Sequence, residues 1–459
     1  MREIKVEDII NVTKGKLILG NNKYECINFS KDTRTIEKDD IYIGIKGESF
    51  DGNLFWKQAL DKGAKGVIVQ NLEITKEEKE KYKDKVIIEV EDTLKSLYEI
   101  AKFKRSLYDI PIIAITGSVG KTSTKDIISS VVSQKYETLK TEGNLNNNIG
   151  VPFTILKLRN HEAAVIEMGM NHLREIALLS SIAKPTLSVI TNIGTSHIGI
   201  LGSRENILKA KLEILEGMDE TKIIINNDND LLHKWQKENE EQVEIHTYGI
   251  QNESQINAEE IKMNENGSSF VVKINGKELE IEVPIGGEHF VYNALCATKV
   301  GEILGLTNKE IKEGIQSFKL TQKRMDIKKL EQGAVLINDS YNASYESMKA
   351  SIKYLADYSG KRKIAVLGDM FELGEYSKEL HKKVGEEVVK NNIDILICAG
   401  KDSKYITECV EENAKKIETH FLQNNEEILK KLKEILKQGD VVLVKASNGM
   451  KFFEICQKL

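Results

Sequence analysis

Proline, paired cysteines and long apolar runs are scarce in this chain of 459 residues. Only 4 residues are proline, where average usage of about 5% would give roughly 23, and proline-rich linkers between domains are therefore excluded. The five cysteines lie far apart and form no Cys-x-x-Cys pair, which argues against a disulfide framework and a zinc cluster and suits a reducing compartment. No stretch of about 18 or more predominantly apolar residues occurs, so we expect no membrane span. Acidic residues near the start (Glu3, Glu7 and Asp8) argue against a signal peptide, and we expect a cytoplasmic protein.

A strong excess of charge of one sign is also missing. The chain has 66 Lys and Arg against 71 Asp and Glu, a formal net charge of −5, which gives no electrostatic reason to expect nucleic acid or an anionic membrane as partner. Hydrophobic residues at 40% and charged residues at 30% exclude a wholly disordered chain. Because a typical domain has about 100–200 residues, two to four domains are expected, and nothing in the sequence requires more than a monomer.

The chain divides into three predicted α/β domains. Residues 1–84 are interpreted as a small mixed α/β domain with strands at 41–45 and 66–69. The dense charge run at 76–85 is typical of a solvated helix face or an exposed link, and it places the first boundary at 84.

Residues 85–320 alternate apolar runs with helical patterns. The run 111–116 is expected of a strand buried on both faces, and residues 127–132 form the apolar stripe of a helix after it. Further strands are predicted at 163–166, 187–190 and 222–225. Strands that alternate with helices predict a mostly parallel sheet. Period-two alternation around Asn275-Gly276 predicts an added antiparallel hairpin.

Residues 321–459 repeat the alternation of strand and helix. Strands are predicted at 335–338, 363–367, 393–398 and 441–444. A segment of this size suits one domain, and we interpret it as a doubly wound, Rossmann-like unit.

A glycine-rich loop follows the predicted strand at 111–116. It consists of Gly117, Ser118, Val119, Gly120, Lys121, Thr122 and Ser123. Glycines let the backbone wrap an anion, and the first free N–H groups of the next helix point at it. Lys121 can reach the terminal phosphates of a nucleotide and the Thr122 hydroxyl can hold Mg²⁺. Ile115 stands where the common phosphate-loop pattern has its first glycine, so the spacing is the shorter Gly-x-x-Gly-Lys-Thr.

This loop predicts nucleotide binding without naming a reaction. A GTPase is disfavoured, because no Asn-Lys-x-Asp stretch follows a later strand. As a bare pattern the loop is also compatible with an ordinary glycine turn, with a small-molecule kinase, or with a nucleotide-binding module that has no catalytic activity.

Several stretches together resemble the Mur ligase family, the ATP-dependent amide-forming enzymes of peptidoglycan precursor assembly. In chain order they are 116–123, 143–152, 167–170, 192–197, 210–214, 287–289 with Asn293, Arg324, and 339–343. The stretches 46–52, 167–170, 339–343 and 367–374 point to those members that join D-alanyl-D-alanine to UDP-N-acetylmuramoyl-tripeptide. The resemblance covers nearly the whole chain and implies a first domain for the UDP-sugar, a central domain for ATP and a C-terminal domain for the acceptor.

The resemblance implies a reaction in two steps, with ATP and two Mg²⁺ ions as cofactors. ATP phosphorylates a carboxylate, and an amine then displaces phosphate from the acyl phosphate through a tetrahedral intermediate. Besides the loop 117–123, the implied ATP contacts are Asn293 at the adenine, Arg324 at the γ-phosphate, and Asp339 at the ribose or metal. The implied catalytic residues and metal ligands are Lys121, Thr122, Glu167, His197 and Lys211, the last of them carbamylated.

The two substrates, UDP-N-acetylmuramoyl-tripeptide and D-alanyl-D-alanine, also have candidate residues. Those for the nucleotide-sugar end are Thr33, Lys46, Gly47, Asp51 and Gly52; those for the muramoyl-peptide channel are Asn144 and Asn147; those for the dipeptide are Tyr341 and Asn342. If these roles hold, the ATP site is completed when the third domain closes over the second, and closure excludes water from the acyl phosphate.

Three places depart from the pattern of the family. Ser344-Tyr345 stands in place of Asn-Pro, Leu173-Arg174 in place of a glycine-containing pair, and Ala446 and Asn448 in place of Gly and Arg. These departures keep open a family member with a different amino donor. The third residue of the tripeptide is not predicted.

Overall fold

Three sheets of mainly parallel strands organise the chain in the order that the sequence predicts. The computed structural model describes residues 3–47, 49–274, 276–321 and 324–459. We call the parts around the three sheets the first, central and C-terminal units. One apolar cluster continues through all three and includes Ile4, Ile166 and Ile337, so the units pack against one another.

The first unit contains a five-stranded sheet, a separate pair of strands, and helices packed against them. Its strands are β1 (Ile4–Lys5), β2 (Lys16–Leu19), β3 (Glu25–Cys26), β4 (Phe29–Ser30), β5 (Ile41–Ile43), β6 (Gly66–Val69) and β7 (Val86–Glu89). Its helices are α1 (Val6–Thr13), α2 (Trp56–Asp61), α3 (Lys76–Lys81) and α4 (Thr93–Ser106). The sheet order is β2-β7-β6-β5-β4, with β2 antiparallel to its neighbour, and β1 pairs separately with β3.

The charge run at 76–85 contains a short solvated helix. Thr75 and Glu78 form a capping box at the start of α3, and no residue of this helix is buried. The strand β7 follows this run and pairs with β6, so the first sheet extends past residue 84. The division of the chain at 84 and 320 stays a prediction.

The central unit is a seven-stranded, wholly parallel sheet with a separate three-stranded antiparallel sheet. Its parallel strands are β8 (Ile112–Thr116), β9 (Thr138–Lys140), β10 (Ala163–Glu167), β11 (Leu187–Ile190), β12 (Lys222–Asn226), β13 (Glu244–Gly249) and β14 (Ile256–Asn257). The antiparallel strands are β15 (Glu259–Asn264), β16 (Gly267–Ile274) and β17 (Lys277–Val283). The helices are α5 (Lys121–Val132), α6 (Gly150–Leu156), α7 (Glu175–Ala183), α8 (Ile198–Leu201), α9 (Arg204–Leu212), α10 (Asp230–Asn239), α11 (Glu288–Ile303) and α12 (Asn308–Ser317).

The order of the parallel sheet places its loops for ligand binding. The order is β14-β13-β12-β11-β8-β10-β9, so β8 lies between two strands that come later in the chain. The carboxyl ends of β8, β10 and β11 therefore meet at one edge, where α/β sheets bind ligands. The predicted hairpin is present as β16 paired with β17, and Gly276 has a φ of 76° that suits its turn. Asn275 of that turn lies outside the described residues.

The C-terminal unit is a six-stranded sheet between helices. Its strands are β18 (Asp326–Lys329), β19 (Val335–Asn338), β20 (Lys363–Gly368), β21 (Ile395–Ala399), β22 (Glu418–Leu422) and β23 (Val441–Lys445). Its helices are α13 (Tyr345–Asp357), α14 (Ser377–Lys390), α15 (Lys404–Asn413), α16 (Asn425–Ile435) and α17 (Phe453–Lys458). The order is β18-β19-β23-β20-β21-β22, with β18 alone antiparallel to its neighbour. The predicted fold class is confirmed. In the described ranges, no helix combines the length and the apolar character needed to cross a membrane.

Candidate active site

The glycine-rich loop lies where the sequence places it, between β8 and α5. Gly117 and Gly120 have φ values of 151° and 84°, a region that side chains rarely adopt. A Cβ on Gly117 would lie 1.9 Å from Thr191 Oγ1, so glycine is also required by space. Lys121 folds back over the loop and donates from Nζ to the Gly117 carbonyl at 2.7 Å. The loop is thus preformed, and the amino group of Lys121 lies over its backbone.

The segment after β11 holds this loop in shape. Thr191 Oγ1 donates to the Val119 carbonyl at 2.6 Å, and Val119 N–H donates to Asn192 Oδ1 at 2.9 Å. Gly194 N–H donates to the Ser118 hydroxyl at 2.9 Å. These side-chain supports fix the backbone before any ligand binds, which is what pre-organised anion binding requires.

Glu167 ends β10 beside the loop, as the sequence predicts. Its Oε1 accepts from Asn146 Nδ2 at 2.8 Å, whereas its Oε2 is buried and has no hydrogen-bond partner in the described part of the chain. A buried, unpartnered carboxylate oxygen is costly. The atom therefore marks a place for a cation.

Asn293 reaches the loop from α11. Its Oδ1 accepts from Thr124 Oγ1 at 2.9 Å. The same oxygen lies close to Gly120, since a Cβ on that glycine would be 3.5 Å from it. The Nδ2 group is left for other contacts, which suits recognition of a base edge.

Arg324, Asp339, Tyr341 and Asn342 face the loop from the C-terminal unit. They line one cavity of about 760 Å³ together with the loop and Glu167. Asp339 follows β19 and its carboxylate pairs with Lys445 Nζ at 2.5 Å and accepts from Ser351 Oγ at 2.7 Å. Two units of the chain therefore build one site.

The two remaining predicted metal ligands occupy different surroundings. His197 lines the cavity, and its Nδ1 lies 2.5 Å from Glu372 Oε2 of the C-terminal unit. Lys211 is buried on α9 and is not among the lining residues of the cavity. Burial lowers the pKa of Lys211 well below its usual value, and the charge of Lys121 acts in the same direction.

Burial also lowers the pKa of two other groups at the cleft. It lowers the pKa of Lys121, while Glu167 acts in the opposite direction. It lowers the pKa of His289 to about 4, so this imidazole is neutral at neutral pH. His289, Asn146, Asn192 and Lys445 also line the cavity. The first three lie in the stretches 287–289, 143–152 and 192–197 that resemble the family, but the sequence predicts no separate role for them.

The candidate residues for the nucleotide sugar form a separate group in the first unit. Lys46 and Asp51 pair across a tight turn, in which Gly47 N–H donates to the Phe50 carbonyl at 2.8 Å. Gly52 follows this turn, and Thr33, in the same unit, donates from its hydroxyl to Gln58 Oε1 at 2.9 Å. None of the five predicted residues lines the 760 Å³ cavity. Glu48, within the stretch 46–52, lies outside the described residues.

Known protein families match the chain along most of its length. The description "Mur ligase family, catalytic domain" matches residues 28–105, "Mur ligase middle domain" matches 115–301, and "Mur ligase, glutamate ligase domain" matches 323–448. The UDP-N-acetylmuramoyl-tripeptide–D-alanyl-D-alanine ligase of Bacillus subtilis (strain 168) is 37% identical over 460 residues, which cover 99% of this chain and 98% of that protein. The chain belongs to the Mur ligase family.

Other Mur ligases agree in sequence and in fold. The ligase of the same name from Escherichia coli (strain K12) is 32% identical over 465 residues, covering 100% of this chain and 99% of that protein. MurF from Acinetobacter baumannii superposes with a TM-score of 0.88 at 27% identity, covering 100% of this chain and 99% of that one. MurF ligase from Thermotoga maritima in complex with ADP gives a TM-score of 0.81 at 27% identity, covering 94% and 96%.

Two departures from the Mur ligase pattern have local structural reasons. Arg174 adopts a φ of 72°, a left-handed conformation that explains why a glycine is expected there. Ser344 is the N-cap of α13 and its hydroxyl accepts from the Ser347 N–H, so it starts the helix that Asn would also start.

Asn147 has a structural role at the start of α6, because its Oδ1 accepts from Gly150 N–H at 2.8 Å. Asn144 and Asn147 both line the cavity as well.

Proposed function

We propose that this Mur ligase uses ATP to join D-alanyl-D-alanine to UDP-N-acetylmuramoyl-tripeptide in the cytoplasm, as a step of peptidoglycan precursor synthesis. Full-length similarity to relatives that bear this name supports the proposal. The observation that carries it is the single cleft in which the phosphate loop with Lys121 faces Arg324 and Asp339. One chain supplies both walls of this cleft, so we propose a monomer as the working unit.

The chemistry explains why such a cleft is needed. A carboxylate does not react with an amine at neutral pH, because oxide is not a leaving group. A tripeptide carboxylate oxygen attacks the γ-phosphorus of ATP, the bond to the bridging oxygen breaks, and ADP leaves. The dipeptide amine then attacks the acyl carbon, loses a proton, and phosphate departs from the tetrahedral intermediate. Phosphoryl transfer depends mostly on positioning and neutralised charge, which Lys121 and Arg324 supply to the two anions.

The donors around Glu167 fit Mg²⁺. The unpartnered Oε2 of Glu167 and the hydroxyl of Thr122 are hard oxygen donors at the same cleft, and such donors suit Mg²⁺. When bound, Mg²⁺ supplies positive charge to the phosphate oxygens. Asn146 holds Oε1 of Glu167 and thereby leaves Oε2 available. No cluster of three or more His, Cys, Asp or Glu placed for a metal occurs within the described ranges, and we propose that a modified side chain adds to the ligands.

Lys211 is proposed to become such a ligand by carbamylation. It is buried, and both burial and the like charge of Lys121 lower its pKa. Both effects favour the neutral amine, which is the form that adds CO₂ through its lone pair and loses one proton. The carbamate is an anion with two oxygen donors and, together with His197, would hold a second Mg²⁺.

The other predicted site residues are assigned by the part of the structure that carries them. Asn293 recognises the adenine from above the loop, Arg324 contacts the γ-phosphate, and Asp339 contacts the ribose or a metal once it exchanges its pairing with Lys445. Asn144 and Asn147 face the muramoyl-peptide, and Tyr341 and Asn342 face the dipeptide. The turn of Lys46, Gly47, Asp51 and Gly52, with Thr33, binds the uridine diphosphate end.

The test is phosphate release by the purified protein with ATP and Mg²⁺ and each combination of the two substrates. Release should require both UDP-N-acetylmuramoyl-tripeptide and D-alanyl-D-alanine, and mass spectrometry should find the joined product. Replacing the dipeptide with other amines tests whether the departures at Ser344-Tyr345 and Asn448 alter the acceptor.

Lys121→Ala is the control for this assay. It should abolish amide formation while leaving the circular dichroism spectrum unchanged, because Lys121 donates only within its own loop. Full-rate phosphate release with neither substrate present would refute the ligase.

A further inference from the structure

The loop that carries His197 is held from the C-terminal unit at two places. This loop, residues 194–202, follows β11 and contains α8. Glu346 in the first turn of α13 accepts from Thr195 N–H at 2.8 Å and from Thr195 Oγ1 at 3.1 Å. A Cβ on Gly194 would lie 2.5 Å from the Glu346 carboxyl carbon, so glycine is what allows this carboxylate to approach.

The second contact involves His197 itself. Its Nδ1 is buried, makes no aligned hydrogen bond in the described part of the chain, and lies 2.5 Å from Glu372 Oε2. Next to it, Gly199 N–H donates to the Glu372 carbonyl at 3.0 Å. His197 and Glu372 both have a φ of 64°, a conformation that costs free energy in non-glycine residues. Two strained residues from different units therefore meet at one point.

The two backbones approach too closely for any side chain between them. A Cβ on Gly199 would lie 2.3 Å from Gly374 N and 2.5 Å from Leu373 C. Tyr376 adds a hydrogen bond from its hydroxyl to the Gly202 carbonyl at 2.7 Å. The loop is thus docked on the C-terminal unit by backbone and side-chain contacts, in addition to its contact with the glycine-rich loop through Gly194.

A carboxylate beside one imidazole nitrogen determines what the other nitrogen can do. It favours the proton on the adjacent nitrogen, and the opposite nitrogen is left with its lone pair free for a cation. Metal-binding histidines commonly have a carboxylate in this position, which fixes the orientation of the ring. For His197 the adjacent nitrogen is Nδ1 and the carboxylate is Glu372, so Nε2 is the nitrogen left for a metal ion.

We infer that Glu372 is a positioning residue that orients His197 for the metal ion, and that Glu346 fixes the loop on which His197 stands. Because both carboxylates belong to the C-terminal unit, the metal site of the central unit is completed only when the two units are docked. This inference rests on the proposed function for the metal-binding role of His197. The docking contacts themselves do not depend on it.

The experiment compares Glu372→Ala, Glu372→Asp and Glu346→Ala with two controls from the same surface. Glu375→Ala removes an exposed carboxylate three residues along, and Tyr376→Phe removes a docking hydrogen bond that does not touch His197. Hydrogen exchange of residues 194–202 is measured on the metal-free, nucleotide-free protein. Mn²⁺ binding with ADP is then measured by electron paramagnetic resonance, including the ¹⁴N coupling from a histidine ligand. The last measurement is the Mg²⁺ concentration that gives half-maximal phosphate release.

We expect faster exchange in Glu346→Ala and Glu372→Ala, by about tenfold or more, but not in Glu375→Ala. Glu372→Ala should lose the ¹⁴N coupling and need about tenfold more Mg²⁺, as expected for the loss of a partner that orients a metal ligand, with a smaller change in the KM for ATP. Glu372→Asp should restore part of the coupling, and Tyr376→Phe should keep it.

Unchanged ¹⁴N coupling and Mg²⁺ requirement in Glu372→Ala would overturn the inference, even if exchange rises, since Glu372 would then serve docking alone. Absence of the ¹⁴N coupling in the unaltered protein would overturn it as well, because His197 would not be a ligand. Failure of the proposed function has a different signature: the unaltered protein would release no phosphate with both substrates present.

Discussion

The guanidinium of Arg324 lies over the ring of Tyr341, with 4.2 Å between the Arg324 Cζ and the ring centroid. Arg324 Nε is buried without a hydrogen-bond partner in the described residues, so the aromatic face is what orients this side chain. Tyr341 is predicted as a contact of the dipeptide, and it also stacks on Arg324, for which we propose a contact with the γ-phosphate of ATP.

Tyr341→Leu should therefore weaken the use of ATP. Stacking of a cation on an aromatic ring contributes about 0.5–2 kcal/mol, which corresponds to a fall of about 2- to 30-fold in kcat/KM for ATP. Tyr341→Phe keeps the ring and should stay close to the unaltered protein. The measurement is initial-rate kinetics with ATP varied at saturating substrates; equal losses in both variants would show that the hydroxyl, not the stacking, matters.

Ligase activity should depend on CO₂ through carbamylation of Lys211. Since its neutral amine is the reactive form, ligase activity should fall in buffers stripped of CO₂ and bicarbonate and recover when bicarbonate is added. Lys211→Ala should lose activity by about a hundredfold or more, as expected for the loss of a metal ligand in phosphoryl transfer. ¹³C NMR with labelled bicarbonate should show a carbamate resonance that Lys211→Ala lacks.

The control for that experiment is Lys209→Ala, which removes an exposed lysine from the same helix. It should keep both the resonance and the activity. A fully active protein in CO₂-free buffer without the resonance would contradict carbamylation.

The imidazole of His289 should make folding sensitive to mild acid. Its pKa is lowered from 6.5 to about 4 by burial. In the unfolded chain the imidazole becomes protonated below about pH 6.5, whereas in the folded protein it becomes protonated only near pH 4. The free energy of unfolding should therefore decrease as the pH falls from 6.5 to about 4. The decrease is at most about 3 kcal/mol, and smaller because the side chain borders the open cleft.

His289→Gln should flatten the pH dependence of stability, because glutamine does not titrate. Urea unfolding of both proteins at several pH values between 4 and 7 measures this difference. Parallel curves for the two proteins would assign the acid sensitivity to other groups.

The buried pair of Asp339 and Lys445 should be important for stability. Lys445 is 3% and Asp339 14% exposed, and the two side chains are 2.5 Å apart. Lys445→Met leaves a carboxylate without its counter-ion and should lower the free energy of unfolding by about 3–5 kcal/mol. Asp339→Asn in the same background should restore part of that loss, which a double-mutant cycle by urea denaturation would show. Additive losses would mean that the two groups do not interact.

Position 174 offers a test of backbone strain. Arg174→Gly and Arg174→Ala both remove the exposed ion pair to Glu216, but only glycine adopts the φ of 72° without strain. We expect the glycine variant to be more stable than the alanine variant by about 1 kcal/mol in urea unfolding. Equal stability would indicate that the alanine variant changes this backbone angle.

Elements with a clear apolar signal were predictable. The strands β8, β10, β11 and β23 are buried on every residue, and each appears in the sequence as a mainly apolar run. The strand β18 was missed because all four of its residues are exposed, so it carries no pattern of burial. Its place is set by hydrogen bonds to β19.

The same limit applies to the site. The phosphate loop, Glu167 and Asn293 were found because a strand, a glycine turn and a helix start lie next to each other in the sequence or match family motifs. The glutamates at 346 and 372 were not singled out. Glu372 lies in the stretch 367–374 that resembles the family, but no local pattern predicts the contact of either glutamate, because its partner is more than 150 positions away in sequence.

The amino-acid sequence by itself determined three α/β units, the glycine-rich loop between a strand and a helix, and the family, because apolar periodicity and short motifs are local properties of the chain. Only the tertiary structure decided which buried polar groups lack a hydrogen-bond partner, which pKa values burial shifts, and how the C-terminal unit contacts the loop of His197. Those features depend on desolvation and on contacts between residues far apart in sequence, and such contacts exist only after the three units have packed together.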